Sequence, residues 1–138
     1  MEYTEKESDY LKKLDMWNRT TAKIRLTKTM LDKCIIDANT SVRTLAMLYG
    51  VHYDDMKNGE KVEVDAFFHT DEETVVRFYK TINRGDRRVS IGKIKKFAEV
   101  GDLIGLTTLS SAESNHPSQI LLINITKGAD NEWKGKNL

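Results

Sequence analysis

The sequence predicts a mainly β, α+β domain: one closed barrel of about seven strands with short helices, preceded by an N-terminal helix. Three observations carry that expectation. Short stretches of alternating apolar and polar residues recur along most of the chain, separated by Gly, Asn and Asp turn signals. The one extended helical stripe comes first, before any strand pattern. The two halves of the chain also repeat one order of parts, which a barrel with an internal pseudo-twofold axis accounts for.

Residues 4–18 read as a helix. Thr4 and Glu7 form a capping box, in which hydroxyl and carboxylate each satisfy a backbone N–H left open in the first turn. Tyr10, Leu11, Leu14 and Trp17 then make one apolar stripe to pack across the barrel. Lys23-Ile24-Arg25-Leu26-Thr27 alternates as a strand, followed by a polar connection over 28–33 and a short strand, Cys34-Ile35-Ile36. Asp37 to Asn39 supply helix-start residues, and Val42, Leu45, Ala46 and Leu48 line one face of a helix ending near Gly50.

Residues 51–58 read as a loop, and Gly59 turns into a strand over 60–68. An acidic turn over 69–73 precedes the strand 74–79; Asn83-Arg84-Gly85-Asp86 is a turn, and Arg88-Val89-Ser90-Ile91 returns. A helical turn over 94–98 and Gly101-Asp102 lead into the strand 103–107. Residues 109–118 read as a polar loop with the sole proline, and 120–126 as the last strand. The expected organisation is therefore a helix and linker over 1–21, the barrel over 22–126, and a loose or weakly docked tail over 127–138 with Trp133 as its available anchor.

The internal echo is specific in its order. Ile24-Arg25-Leu26-Thr27-Lys28-Thr29 matches Val76-Arg77-Phe78-Tyr79-Lys80-Thr81, with Arg, Lys and Thr at identical offsets. Each copy continues into a polar arm, a returning strand and a short helical segment. A glycine–acid pair, Gly59-Glu60 or Gly101-Asp102, then opens the next strand. Each half thus donates one protruding arm, and closure removes open sheet edges.

At 138 residues, 39% apolar and 31% charged, the chain fits one globular domain rather than a disordered one. No apolar run approaches the ~20 residues that cross a bilayer. The acidic, polar start reads as neither a secretory signal nor a transit peptide. The single cysteine, Cys34, reads as a small core residue in a reducing cytoplasm. Net charge is only +1, but its distribution is uneven. Residues 77–96 hold eight bases against Asp86, while 54–73 hold eight acids against Lys57 and Lys61. Opposed blocks predict a two-faced surface with a local basic face of the kind phosphate binding needs.

With these parts in this order, the chain resembles the DNA-binding pseudobarrel family, which includes plant B-three domains and the effector domains of EcoRII-type and BfiI restriction endonucleases. The resemblance spans about residues 22 to 126. Its most telling piece is the strand, short helix and Gly-Asp turn of Arg87-Arg88-Val89-Ser90-Ile91-Gly92-Lys93-Ile94-Lys95-Lys96-Phe97-Ala98-Glu99-Val100-Gly101-Asp102-Leu103-Ile104. The family's tryptophan near position 92 is absent and the N-terminal helix is extra, which points to a prokaryotic or phage version.

The resemblance implies a double-stranded DNA partner whose major groove is gripped by two arms. Carried over by position, the first arm is Thr27, Lys28, Thr29 and Lys33; the second is Lys80, Thr81, Asn83, Arg84, Arg87 and Arg88. Lysine and threonine suit phosphate oxygens, whereas Arg84 and Asn83 suit guanine and adenine edges. Lys93, Lys95 and Lys96 add phosphate contacts behind the second arm. Arg25 and Arg77 either face DNA or pair with the acidic strand, and of Phe78 and Tyr79 one is core and the other exposed.

Other chemistry finds little footing. His52, His69 and His116 lack ligand spacing, and phosphate loops, Gly-x-Ser-x-Gly elbows and Cys-x-x-Cys are missing. No metal, cofactor or enzymatic activity is expected. The nearest approach to a nuclease is Glu63 and Asp65 on one strand face with Lys80 on the next strand. The leading expectation is a cytoplasmic DNA-binding module, nucleoid-associated when bound, serving regulation or restriction and anti-defence. The rival is a protein-interaction module of phage-inhibitor type docking through the acidic block 54–73. Oligomeric state is left open.

Overall fold

The alternating segments pair into one curled seven-stranded sheet behind an N-terminal helix, the α+β class expected. The computed structural model describes residues 2–15, 21–109 and 117–130. The elements are α1 (Glu5–Asp15), β1 (Thr21–Arg25), α2 (Lys28–Lys33), β2 (Ile36–Asp37), α3 (Thr40–Met47), a 3₁₀ turn (Tyr53–Asp55), β3 (Lys61–Phe68), β4 (Glu73–Lys80), β5 (Arg87–Ile91), α4 (Ile94–Phe97), β6 (Leu103–Leu109), β7 (Gln119–Asn124) and α5 (Ile125–Asp130). The strand order is β1-β6-β7-β3-β4-β5-β2, with only β3 and β7 parallel among neighbours.

The pairing carries the predicted pseudo-twofold. Exchanging halves turns β1·β6 into β4·β3 and returns β2·β5 to itself, and all three pairs are antiparallel. The glycine–acid turns repeat atom for atom. Glu60 N donates to Lys57 O at 3.0 Å and Asp102 N to Glu99 O at 3.1 Å. The acid side chains then reach back to accept from Lys57 N at 3.2 Å and Glu99 N at 2.9 Å. Gly59 and Gly101 both hold positive φ, 83° and 93°, at the third turn position, where a Cβ is disfavoured.

These turns also fix the true register of the repeat. Leu26 N donates to Asp102 O and its carbonyl accepts from Gly101 N; Lys80 does the same with Glu60 and Gly59. Leu26 is therefore equivalent to Lys80, and Thr27 to Thr81. The sequence echo, which aligned Lys28 with Lys80, is two residues out of step. A slip of two preserves which face each side chain takes, so the pattern match survived it.

Phe78, Ile24, Leu26, Leu106, Ile120 and Leu122 fill the barrel core, with Val42, Leu45 and Ala46 of α3 laid into it. Asn39 accepts from Val42 N at 3.0 Å as the N-cap of α3. Leu48, expected on the buried face, is exposed at the helix's C-cap. The loop over 51–58 is partly structural: Val51, Tyr53 and Met56 are buried and Tyr53 meets Phe78 edge-on. Phe97 of α4 stacks on Phe68 at 4.0 Å between ring centres.

The ring does not close by a backbone ladder between β1 and β2, the two ends of the sheet. Side chains bridge that seam: Lys23 N donates to Ser41 Oγ at 3.1 Å, and Asn39 Nδ2 donates to Lys23 O at 2.8 Å.

The α1 capping box forms as expected, with Thr4 N to Glu7 Oε1 at 2.9 Å and Glu7 N to Thr4 Oγ1 at 3.1 Å. Tyr10 and Leu11 pack outside the barrel against Leu103, Ile123 and Ile125. Trp17, residues 110–116 of the polar loop and Trp133 lie outside the described residues. The last strand ends sooner than its apolar run, because Asn124 Oδ1 accepts from Lys127 N at 3.0 Å and caps α5. Residues 127–130 thus belong to a helix packed on α1, the docked form of the loose or weakly docked tail expected from residue 127 on.

Candidate nucleic-acid interface

The second arm is a short, tied turn. Thr81 N donates to Asp86 O at 3.0 Å, Gly85 N to Thr81 O at 3.1 Å, and Asp86 N to the Thr81 hydroxyl at 2.8 Å. Ile82, Asn83 and Arg84 are exposed at its tip. Asn83 and Arg84 make no side-chain hydrogen bond or ion pair among the described residues.

The first arm is not a loop. Thr27 Oγ1 accepts from Met30 N at 3.3 Å and caps α2, so Lys28, Thr29 and Lys33 stand on a helix. Cys34 ends that helix in the left-handed region, φ 54°, and is exposed rather than core. The strand expected over 34–36 shrinks to Ile36–Asp37. Lys28 sits 3.9 Å from Asp32 one turn on.

Both connections border one open concavity of about 760 Å³ on the outer face of β3, β4 and β5. Cys34 stands on one side and residues 81–84 on the other. Among the described residues, Lys61, Arg77, Lys80, Arg84 and Arg88 line it against a single acid, Asp86. Register explains the assembly: Lys61 pairs with Tyr79, Tyr79 with Arg88, and Arg88 with Asp37, one outward row across four strands. The next row is Glu63, Arg77 and Ser90. Phe78 is the core partner and Tyr79 the outward one, half-buried between two cations.

These cations differ in freedom. Arg88 lies 2.9 Å from Asp37 and donates from Nη2 to Asp86 at 3.1 Å, although its buried Nε makes no hydrogen bond among the described residues. Arg77 lies 3.3 Å from Glu63, while its buried Nε has no hydrogen-bond partner among the described residues. Lys80 donates to Met56 O at 3.0 Å. Lys61 and Ser90 were not singled out as binding residues from sequence, because only the strand pairing brings them to this face.

Several expected contacts lie elsewhere. Arg25 does not pair with the acidic strand: its guanidinium is occupied by Glu7 and by the carbonyls of Gly101 and Glu2. Of the first arm, Thr27, Lys28, Thr29 and Lys33 are outside the concavity's lining. Arg87 turns to the α3 side, 3.7 Å from Asp54. Lys93, held by Glu73 O at 3.2 Å, stands at the far end of β4, with Lys95 near it on α4. Seven residues of strand separate that end from the arm, about 23 Å.

The acidic block is not one face. Glu63 meets Arg77, Asp54 meets Arg87, Glu60 caps its own turn, and Glu72 lies 3.1 Å from Lys96 and 3.6 Å from Lys93. The Lys96 contact, with Lys93 beside it, holds the Glu72 carboxyl below its ordinary range. Opposed charges in the sequence are neighbours in space, so the two-faced surface reduces to local pairs plus one basic concavity. Glu63 and Asp65 do share a face, yet among the described residues no three His, Cys, Asp or Glu side chains gather as a metal site. No helix among them is long and apolar enough to cross a membrane.

No protein-family model matches the chain, and no curated protein sequence matches it. Among solved structures it is similar to the N-terminal domain of Helicobacter pylori LlaJI.R1, with 13% identity and a TM-score of 0.41 over 75% of this chain and 84% of that one.

Proposed function

We propose that the chain is a double-stranded DNA-binding module, not an enzyme, that seats the duplex in the concavity between residues 81–86 and the end of α2. One observation carries this reading: the β1–β2 and β4–β5 connections border the same cavity, which, among the described residues, five bases line against one acid. Lys61, Arg77 and Arg88 sit on rigid strands, where cations position a phosphate backbone. Asn83 and Arg84 stand free at the tip, with the donors and acceptors that adenine and guanine edges match.

The test is fluorescence anisotropy of a labelled duplex, titrated with the full chain at rising salt. Affinity falls steeply between about 50 and 200 mM salt, and log K declines linearly with log salt as counterions are released. The double variant Asn83→Ala, Arg84→Ala loses sequence preference and most of its affinity while remaining folded. Affinity indifferent to salt, or a double variant that binds as the native chain does, overturns the proposal.

A further inference from the structure

Ile82 is the most exposed large hydrophobic residue described, with 78% of its surface open to water. It is not on a loose loop: the three hydrogen bonds within residues 81–86 hold the backbone on either side of it. A methyl placed on Gly59 would come 3.4 Å from Ile82 Cγ1, so the side chain lies along the base of the arm. Its own branching at Cβ leaves it few rotamers. It lines the basic concavity beside Asn83 and Arg84.

The internal repeat supplies a comparison within the molecule. Thr27 and Thr81 are equivalent by their turn hydrogen bonds, so the next residues, Lys28 and Ile82, occupy equivalent steps. One half places a cation there and the other a branched hydrocarbon. A phosphate oxygen gains nothing from the hydrocarbon. A duplex offers a hydrocarbon partner in the major groove, the C5-methyl group of a pyrimidine.

We infer that Ile82 reads a pyrimidine C5-methyl group, of thymine or 5-methylcytosine, next to the base edge taken by Asn83 and Arg84. The inference rests on the DNA-binding reading and adds a specificity determinant to it. Burying one methyl group is worth about a fourfold change in affinity.

The experiment starts from the duplex most enriched from a random pool. Each thymine is replaced singly by deoxyuridine, which lacks only the methyl group, and each cytosine singly by 5-methylcytosine. At one position, uracil weakens binding about fourfold, assigning thymine, or methylation strengthens it about fourfold, assigning 5-methylcytosine. Ile82→Ala binds with the same salt slope and loses that methyl discrimination; Ile82→Val keeps most of it. The inference is overturned if no position senses the methyl group, or if Ile82→Ala senses it equally. A native chain that binds no duplex at low salt sinks the DNA reading and this inference together, whereas binding without methyl discrimination sinks this inference alone.

Discussion

Glu7 and Arg25 form a forked ion pair, with Nη1 2.7 Å from Oε2 and Nη2 2.8 Å from Oε1. The same carboxylate accepts the Thr126 hydroxyl at 2.6 Å and the Thr4 amide at 2.9 Å. One side chain, only 1% exposed, therefore joins α1, β1 and α5. The capping-box acid that starts the first helix is also its anchor to the barrel.

Removing that carboxylate leaves Arg25 without its partner beneath the helix. Glu7→Ala is expected to cost roughly 3–5 kcal/mol, read as a lower urea midpoint. A loss under ~1 kcal/mol, the range of surface pairs, contradicts the anchoring role.

The anchor also sets an acid limit. Arg25 hydrogen bonds outweigh the opposing effect of burial and, with Thr126 and Thr4, hold the Glu7 carboxyl at about 2 against an ordinary 4.5. The unfolded chain takes up this proton first as pH falls. Its stabilisation is therefore full above pH 4.5 and lost on descent toward 2. That contribution is roughly 3 kcal/mol. Urea titrations across this window should show a flatter dependence in Glu7→Gln than in the native chain.

Two neighbouring arginines are expected to separate cleanly. Arg84, free at the arm tip, should cost about 1–3 kcal/mol of DNA affinity when changed to alanine. Arg87→Ala, whose guanidinium faces Asp54 on the α3 side, should bind within about twofold of native, as surface changes away from an interface do. Anisotropy measured side by side decides it, and the reverse ranking moves the interface to the α3 side.

Asn124 gives a test with a pH signature. Its Nδ2 donates to Asp102 Oδ2 and to Phe97 O, both at 2.9 Å, while its Oδ1 caps α5. Asn124→Asp keeps the cap and sets a second buried carboxylate against Asp102. The variant should lose roughly 2–5 kcal/mol at neutral pH. Because like charge raises the pair's affinity for a proton, part of the loss should return as pH falls into the carboxylate range. Thermal melts of the variant at two pH values check the sign.

Much of this architecture was legible where local chemistry decides it. Thr4 with Glu7, Asn39 before Val42, and the glycine–acid pairs at 59–60 and 101–102 act within a few residues of themselves. The order of the repeat was legible for the same reason. Its register was not, because a slip of two leaves the inward–outward alternation intact. Thr27 continues the alternation of β1 by pattern, yet its hydroxyl caps α2, so the first arm read as an extended polar loop. Asn124 sat inside an apolar run that hid the cap of α5.

The candidate site was half legible. Asn83 and Arg84 follow from a turn signal, but the row Lys61, Tyr79 and Arg88 exists only once β3, β4 and β5 are in register. The partners of Arg25 and Arg87, Glu7 and Asp54, were not legible because they are distant in the chain.

The seam beside Lys23 bears on self-association. The outward N–H and carbonyl of Lys23 on an end strand are what a second chain would need to add itself to the sheet, and here a serine hydroxyl and an asparagine amide occupy them. Protection of this kind resides in two short side chains, so single substitutions at Ser41 or Asn39 can uncover a template for aggregation that a backbone ladder would have kept sealed.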